Sequence, residues 1–303
     1  VDVTICNGST ATLNVTANGG SGNYNYQWRS ATVSVGPYTD IAGANSSSYT
    51  TVGLSQNTYY QVAVSDKTQS CGAATISNNA VVFVATITAQ PTTPVAICVG
   101  GTVNMSVTAS LNSGTGTLSY QWQRNSGSGF VNETNATATT ANLVSDALLV
   151  STDFRCIVTS SAISCTLTSD SVTATVVADP SITAQPTGAT ICPGTTHDLS
   201  VIASNGTPDL TYQWLSSTDD NLFTPISGAT SATYTTTALT QTTYYRVEVA
   251  SSGNGCNTIT SATATVTVLP AIVITTQPVD VTICNGSTAT LNVTANGGSG
   301  NYN

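Results

Sequence analysis

Apolar and polar residues alternate in short runs throughout the chain, with the two-residue period of a β-strand. In T-L-N-V-T-A the alternate residues Leu13, Val15 and Ala17 are apolar, and the same alternation recurs at residues 104–109 and 198–203. Clusters of Gly, Asn and Ser, such as N-G-G-S-G-N at residues 18–23, separate the runs as turns. Since no segment sustains a helical period, the pattern predicts an all-β protein.

These runs belong to a repeat. Y-Q-W begins at residues 26, 120 and 212, so successive copies lie 94 and 92 residues apart. I-T-x-Q-P begins at residues 87, 182 and 274, and a C-x-G follows each copy and also occurs at residues 6–8. Several motifs at a fixed spacing mark a repeated structural unit, and we predict three domains and the beginning of a fourth. The boundaries are residues 1–84 (lacking the first strand), 87–177, 182–268, and 274–303 (the first strands of the next domain).

The last 25 residues, 279–303, are identical to residues 1–25, at an offset of 278 residues. That offset equals the two observed spacings plus one further spacing of 92 residues. Residues 274–303 contain too few strands to bury a core of their own. We therefore interpret the chain as one period of a repeating 278-residue, three-domain unit, followed by the start of the next unit.

The order of core residues predicts the type of domain. Trp28 follows Val15 by thirteen residues, and Leu54 and Tyr60 precede Val62. An immunoglobulin domain has a tryptophan on strand C that packs on a disulfide between strands B and F, and a tyrosine corner at the start of strand F. The order here is the same, except that Val15 and Val62 occupy the positions of the two cysteines. The equivalents are Val107, Trp122, Leu148, Phe154 and Cys156, and then Val201, Trp214, Leu239, Tyr245 and Val247. We predict tandem immunoglobulin-like β-sandwich domains in a linear array.

The combination of C-x-G, Y-Q-W, T-Y-Y-R-V and G-C-x-x-x-x-S resembles the immunoglobulin-like repeats of large surface proteins that Bacteroidota export by type IX secretion, including gliding-motility adhesins. The resemblance covers the whole chain. It implies an extracellular or cell-surface location, a role as an adhesin stalk or filament, and no catalytic residue. It also makes Ser171, in Asp-Ser-Val, a candidate for O-glycosylation.

Eight cysteines in a chain with a polar surface favour an oxidising compartment. Each domain has an early and a late one, and these are disulfide candidates: Cys6 and Cys71, Cys98 and Cys165, Cys192 and Cys256, with Cys284 repeating Cys6. One scheme pairs them within a domain. In an immunoglobulin-like sandwich, however, the early cysteine lies at the base and the late one near the top, roughly 20 to 30 Å away.

The base of one domain adjoins the top of the next, so the alternative scheme pairs cysteines between domains. It joins Cys6 to Cys165 and Cys98 to Cys256, and leaves Cys192 for the equivalent of Cys71 in the next period. Both schemes remain open from the sequence. Cys156 is the extra cysteine, and its position in the strand predicts a free, buried thiol beside Trp122.

Short joints separate the domains, at residues 85–86, 178–181 and 269–273. Short, proline-containing joints limit bending, and we expect a stiff array with a period on the order of 120 Å.

Composition narrows the function further. Only 6% of the residues are charged, and five basic residues against fourteen acidic ones give a net charge of -9. This balance argues against nucleic-acid binding, and no run of eighteen apolar residues indicates membrane insertion in this segment. The single histidine, His197, has no second histidine for a metal site, and the pair Asp219 and Asp220 is better explained as a solvated loop than as a Ca²⁺ site. We expect no enzyme activity, cofactor or metal.

The prediction is a structural shaft of an extracellular filament or adhesin. Its partners are further copies of the repeat in line, with lateral pairing of edge strands as an option. The alternative is a glycan- or surface-binding adhesion module. Its best candidate is the loop at residues 124–142, about four residues longer than its counterparts, and a tip outside this sequence could also bind such a ligand.

Overall fold

A computed structural model of the chain describes residues 1–68, 72–112, 115–161, 163 and 166–300. In these residues all regular structure is β-strand. The chain divides into two compact units, Val1–Pro94 with Thr102–Thr175, and Val95–Gly101 with Val176–Asn303.

The first sandwich has two sheets. Its strands are β1 (Val3–Cys6), β2 (Thr12–Asn14), β3 (Tyr24–Ala31), β4 (Thr39–Asp40), β5 (Ser48–Thr50), β6 (Thr58–Asp66), β7 (Thr75–Ile76) and β8 (Ala80–Ala89). One sheet has the order β1-β8-β6-β3-β4, with β7 also pairing β6, and β2 pairs β5 in the other sheet. Strand β1 runs parallel to β8, and the other pairs in these sheets are antiparallel. This is the strand order of an immunoglobulin-like sandwich.

The core of the first sandwich lies between its two sheets. Trp28 on β3 is directly opposite Val62 on β6, and both are almost fully buried. Leu13, on β2, is buried in the same cluster. Alternate residues of β2 and β6 are buried, as the two-residue period predicts.

The second set of strands repeats this plan. It comprises β9 (Ile97–Cys98), β10 (Asn104–Ser106), β11 (Thr108–Ser110), β12 (Leu118–Asn125), β13 (Val131–Asn132), β14 (Asn142–Val144), β15 (Thr152–Ser160), β16 (Leu167–Thr168), β17 (Val172–Ala174) and β18 (Val176–Val177). One sheet has the order β13-β12-β15-β16, with β17 also pairing β15, while β10 pairs β14 and β9 runs parallel to β18. Trp122 is opposite Cys156 and fully buried.

The third sandwich lies in the second unit. Its strands are β19 (Ser181–Ala184), β20 (Ala189–Ile191), β21 (Asp198–Ser200), β22 (Ile202–Ser204), β23 (Leu210–Ser217), β24 (Thr224–Pro225), β25 (Thr233–Thr235), β26 (Thr243–Ser251), β27 (Ile259–Thr260) and β28 (Ala264–Val268). The main sheet has the order β20-β28-β26-β23-β24, with β27 pairing β26, while β21 pairs β25 and β19 pairs β22. Two further strands, β29 (Val273–Thr276) and β30 (Thr294–Asn296), pair with each other.

One expected joint is not a linker. Residues 85–86 lie inside β8, whose first part pairs with β6 and whose last part pairs antiparallel with β11. The expectation of a two-residue linker was therefore wrong, because hydrogen bonding to the next domain extends the strand through it. Residues 181 and 273, at the ends of the other two expected joints, are likewise the first residues of β19 and β29.

Candidate functional site: the Cys98 joint

Each C-x-G motif forms a tight turn. The amide of Gly101 donates to the carbonyl of Cys98 at 3.0 Å, and Gly100 between them has a φ of 86°. Such a left-handed backbone favours glycine, which explains the fixed third position of the motif. Equivalent hydrogen bonds close the other copies, from Ser9 to Cys6, Thr195 to Cys192 and Ser287 to Cys284.

A second turn, G-N-G-C at residues 253–256, lies against the first. The amide of Cys256 donates to the carbonyl of Gly253 at 3.1 Å, and the amide of Gly253 donates to the carbonyl of Thr207 at 2.8 Å. Gly255 has a φ of 79°, again in the left-handed region. The turn thus presents Cys256 at the end of the loop that follows β26.

Cys98 and Cys256 form a disulfide, with their Cα atoms 4.7 Å apart and a sequence separation of 158. The amide of Cys98 donates to the carbonyl of Asn254 at 3.0 Å, and Cys98 is fully buried. Both cysteines belong to the second unit. The bond therefore joins a cysteine of the predicted second domain to one of the third, as the inter-domain scheme expects.

Close backbone approach makes two glycines necessary at this contact. A Cβ atom at Gly101 would lie 2.4 Å from the carbonyl oxygen of Asn254, and one at Gly255 would lie 2.4 Å from the amide nitrogen of Gly101. Neither neighbour is a flexible side chain, so any larger residue would push the turns apart.

A polar clamp flanks the disulfide. The amide of Asn257 donates to Oδ1 of Asp179 at 3.1 Å, and its side-chain Nδ2 donates to Oδ2 at 2.8 Å. The amide of Val99 donates to the carbonyl of Val177 at 3.2 Å. We call residues 98–101, 177–179 and 253–257 together the Cys98 joint.

The other predicted disulfide residues have different positions. Cys6 is also disulfide-bonded, whereas Cys192 and Cys284 are exposed and free in this chain. The sequence predicted both as disulfide residues, and neither forms a disulfide in this chain. The predicted partner of Cys192 is a cysteine of the following unit. Cys71 and Cys165 lie outside the described residues.

Cys156 is a free thiol in the core of the second set of strands. It occupies the position of Val62 and Val247, directly opposite the tryptophan of its sheet. Its amide donates to Oγ of Ser169 at 2.8 Å. Burial raises the pKa of the Cys156 thiol to about 11, which makes it a poor nucleophile.

The remaining candidates do not assemble into a site. Ser171 is exposed immediately before β17. His197 is tied into the backbone, since its amide donates to Oγ1 of Thr236 at 2.9 Å. Asp219 accepts hydrogen bonds within its own turn, whereas Asp220 accepts one from Thr263 on another segment. Among the described residues, no group of three or more metal-binding side chains occurs, and no helix is long and apolar enough to cross a membrane.

Sequence reasoning missed the role of the glutamine in Y-Q-W. Nε2 of Gln27 donates to the carbonyls of Trp28 at 2.9 Å and Ile41 at 2.8 Å, and thereby links β3 to the segment after β4. Gln121 and Gln213 make the same pair of bonds. Nε1 of each tryptophan also donates to a main-chain carbonyl seventeen or eighteen residues later. The motif is therefore structural, because its polar atoms are used inside the domain.

Sequence reasoning also missed a buried carboxylate in the loop at residues 124–142. The Glu133 side chain is only 2% exposed, and its Oε1 lies 3.7 Å from Nε of Arg124. In the part of the chain that the structure describes, this oxygen has no hydrogen-bond partner. Burial raises the pKa of Glu133, Arg124 opposes that rise, and Asp146 adds to it. The amide of Glu133 donates to the carbonyl of Trp122. In the other two sandwiches the equivalent amides, which donate to the carbonyls of Trp28 and Trp214, belong to Ile41 and Ile226. A carboxyl group therefore replaces an isoleucine side chain at this position.

The first and third sandwiches share an aromatic stack that the second lacks. Trp28 stacks on Tyr49 with ring centroids 6.0 Å apart, and Tyr49 lies 5.9 Å from Tyr60. The third sandwich has the same arrangement, formed by Trp214, Tyr234 and Tyr245. In the second set of strands, Leu143 and Phe154 stand at the two tyrosine positions.

A family model described as "Domain of unknown function (DUF8696)" matches residues 1–86 and 182–270, together more than half of the chain. The chain belongs to this family. The matched segments are those of the two sandwiches with the aromatic stack. No curated protein matches the chain.

Solved structures similar to the chain contain tandem immunoglobulin domains. The three N-terminal domains of the highly immunogenic outer capsid protein of bacteriophage RB49 have a TM-score of 0.51 and 14% identity, over 88% of this chain and 95% of that chain. Titin domains I67–I69 have a TM-score of 0.36 and 13% identity, over 88% and 95%. Sidekick-1 immunoglobulin domains 1–5 have a TM-score of 0.35 and 16% identity, over 98% of this chain and 65% of that chain. The first similarity confirms the fold class, tandem immunoglobulin-like β-sandwiches, and at this identity it shows the fold alone.

Proposed function

We propose that the chain is a segment of an extracellular structural shaft, in which disulfides lock each immunoglobulin-like domain to the next. The observation that carries this proposal is the Cys98–Cys256 bond. A bond inside one domain would stabilise only that domain, whereas this bond restrains the joint between two predicted domains. A shaft must resist bending and extension at its joints, whereas a single binding domain has no such requirement.

The repeat extends this arrangement along the array. Cys192 is exposed on the same type of turn as Cys98. In our proposal it bonds a late cysteine of the following unit, and every joint of the array is then crosslinked. The joints are not identical in detail, because the position of Gly101 is occupied by Ser9, Thr195 and Ser287 in the other copies.

The shared strand β8 supports the same function. Its residues pair with β6 in the first sandwich and with β11 in the second, without a linker between the two sets of pairs. Continuous hydrogen bonding resists extension better than a flexible linker does.

The location follows from redox chemistry in this proposal. Disulfides persist in oxidising surroundings, and a surface of Thr, Ser, Asn and Gly with 6% charged residues suits the outside of a cell. A stalk of a Bacteroidota surface adhesin or an extracellular filament, with Ser171 as a glycan acceptor, is the specific form that the sequence resemblance favours.

The alternative, a glycan-binding module, has less support. In the loop at residues 124–142 the ring of Phe130 is covered by the guanidinium of Arg155, whose Cζ lies 4.0 Å from the ring centroid. The guanidinium occupies one face of this ring and closes that face to a stacking sugar.

Concatemers of one, two and three 278-residue units, imaged by negative-stain electron microscopy, test the proposal. We expect threads whose length increases on the order of 120 Å for each unit. The matched control carries Cys98→Ala and Cys256→Ala in every unit, and we expect its threads to show a wider distribution of bend angles. Compact particles whose length does not grow with unit number would contradict the shaft.

A further inference from the structure

Three stretches of the chain meet at the Cys98 joint. The amide of Val99 donates to the carbonyl of Val177 at 3.2 Å, and β9 and β18 run parallel there, with Cys98 the register partner of Val177. The amide of Cys98 also donates to the carbonyl of Asn254 at 3.0 Å. The chain therefore passes the same point three times, near residues 98, 177 and 256.

Between these three passages the chain forms two closed segments of equal length. Val177 follows Cys98 by 79 residues, and Cys256 follows Val177 by the same number. The first closed segment contains β10 to β17, and the second contains β19 to β26 of the third sandwich. Because each segment begins and ends at the joint, a path that runs through the joint gains no length from either segment while both stay closed.

The Cys98–Cys256 bond provides a covalent path that omits both closed segments. The main chain between the two cysteines has a sequence separation of 158, whereas the bond holds their Cα atoms 4.7 Å apart. When two paths connect the same two points, the shorter one becomes taut first and carries the tension. Tension that arrives at Cys98 therefore crosses the disulfide to Cys256 and does not act on the main chain between them.

Little length remains for tension to release on the path through the disulfide. Before the bond this path contains residues 92–98, which end in β9, and after it residues 256–268, which contain β27 and the five residues of β28. A residue in a β-strand already rises about 3.3 Å, and a fully extended chain reaches at most about 3.6 Å for each residue. Tension can therefore lengthen the strands on this path only slightly.

We propose that the chain transmits tension through the Cys98–Cys256 bond, and that the two closed segments stay folded because no tension acts on them. Tension enters through the residues before Cys98, crosses the disulfide and leaves through β28. This function deepens the proposed shaft and rests on the same bond. It adds that the joint keeps its length under tension while most strands of two sandwiches are bypassed.

Hydrogen bonds alone close the two segments when the disulfide is absent. Strand β9 pairs with β18 over two residues, and Asn257 makes two hydrogen bonds to Asp179, of 3.1 and 2.8 Å. A few hydrogen bonds are far weaker than a covalent bond. Without the disulfide, tension acts on these contacts and on the two sandwiches directly, so each closed segment should open in turn.

Optical tweezers measure the length that the chain releases under tension. DNA handles are attached to azide-bearing residues in place of Thr92 and Ala271, both exposed and both outside the closed segments. We expect no unfolding step in the 303-residue chain with its disulfide intact. With Cys98→Ala and Cys256→Ala we expect two steps of about 270 Å each, one for each closed segment. Neither of the partners predicted for Cys6 would shorten the path between the two handles.

Two controls distinguish bypassed segments from segments that simply resist tension. Cys192→Ala keeps the Cys98–Cys256 bond and removes an exposed free thiol, so this variant should also show no step. Inner handles at Asn104 and Thr175, two exposed positions inside the first closed segment, apply tension to its strands directly. With the inner handles, the chain with its disulfide intact should release about 240 Å.

A non-reducing peptide map of the same sample separates this proposal from the shaft. Steps between the outer handles in a sample whose Cys98 is bonded to Cys256 would overturn the bypass and leave the disulfide-locked shaft in place. Another partner for Cys98 in the map would overturn both. The absence of steps in the double variant, or between the inner handles, would overturn the bypass too, because the sandwiches would then withstand tension without it.

Discussion

Removal of the Cys98–Cys256 bond should destabilise the third sandwich more than any other part of the chain. The substitutions are Cys98→Ala with Cys256→Ala, which leave no unpaired thiol at the joint. A link between residues 158 positions apart lowers the entropy of the unfolded chain, and the loop-closure relation gives about 5 kcal/mol for it.

The effective loop is shorter when only the third sandwich unfolds. Val177 pairs with Cys98 across β9 and β18, so those two strands remain together while the chain from 177 to 256 opens. This leaves a loop of roughly 80 residues and a stabilisation of about 4.5 kcal/mol. Such a contribution is comparable with the whole stability of many small domains, about 5 to 15 kcal/mol.

Hydrogen exchange in increasing urea, followed by mass spectrometry, resolves the stability of each sandwich. With a urea dependence of about 2 kcal/mol per molar, the midpoint for peptides of β26 should fall by about 2 M. Peptides of β3 and β6 in the first sandwich should be unchanged. Cys192→Ala is the control, because it removes an exposed cysteine that is free in this chain.

An unchanged midpoint for the third sandwich in the double variant would refute the reasoning. So would a non-reducing peptide map that joins Cys98 to a cysteine other than Cys256.

Three further predictions concern side chains inside the domains. Burial raises the pKa of Glu133 in the folded state above its ordinary 4.5, so the folded chain holds this proton more tightly than the unfolded chain does. The free energy of unfolding of the second domain should therefore decrease as the pH rises above that value. Urea unfolding at several pH values should show this decrease, and Glu133→Gln should abolish it. Cys156, whose pKa is raised to about 11, should resist iodoacetamide at pH 8 while Cys192 and Cys284 react, and mass spectrometry of the alkylated peptides would contradict this if all three were labelled equally. Gln213→Leu removes two hydrogen bonds to main-chain carbonyls and should destabilise the third sandwich by about 2 kcal/mol in urea unfolding, whereas an unchanged midpoint would show that those bonds contribute nothing.

The sequence predicted the core because the signals for it are local. The two-residue alternation around Leu13 follows from the pleat of a strand, and each Y-Q-W places its tryptophan on the inner face of the strand that carries it. Trp122 and Cys156 could be placed side by side because the immunoglobulin order fixes which positions of strands C and F face each other.

The sequence did not predict two features that depend on contacts with distant segments, the burial of Glu133 and the extension of a strand through residues 85–86. Glu133 is polar and belongs to the longest of three equivalent loops, and a surface position was the natural expectation. Its backbone instead bonds the carbonyl of Trp122, as an isoleucine does in the other two sandwiches, and this fixes the side chain inside. Residues 85–86 resemble a linker in sequence and are part of a strand because β11, more than twenty residues later, pairs with the same strand.

The sequence by itself determined the strands, the repeat and the immunoglobulin-like class, since these depend on residue periodicity and spacing. It also narrowed the cysteine pairing to two schemes. Only the tertiary structure decided that Cys98 bonds Cys256, because a disulfide requires two Cα atoms within a few ångströms of each other and sequence separation carries no such distance. Strand pairing is a tertiary feature for the same reason: residues 294–296 form a strand because they pair with residues 273–276, whereas the identical residues 16–18 form none.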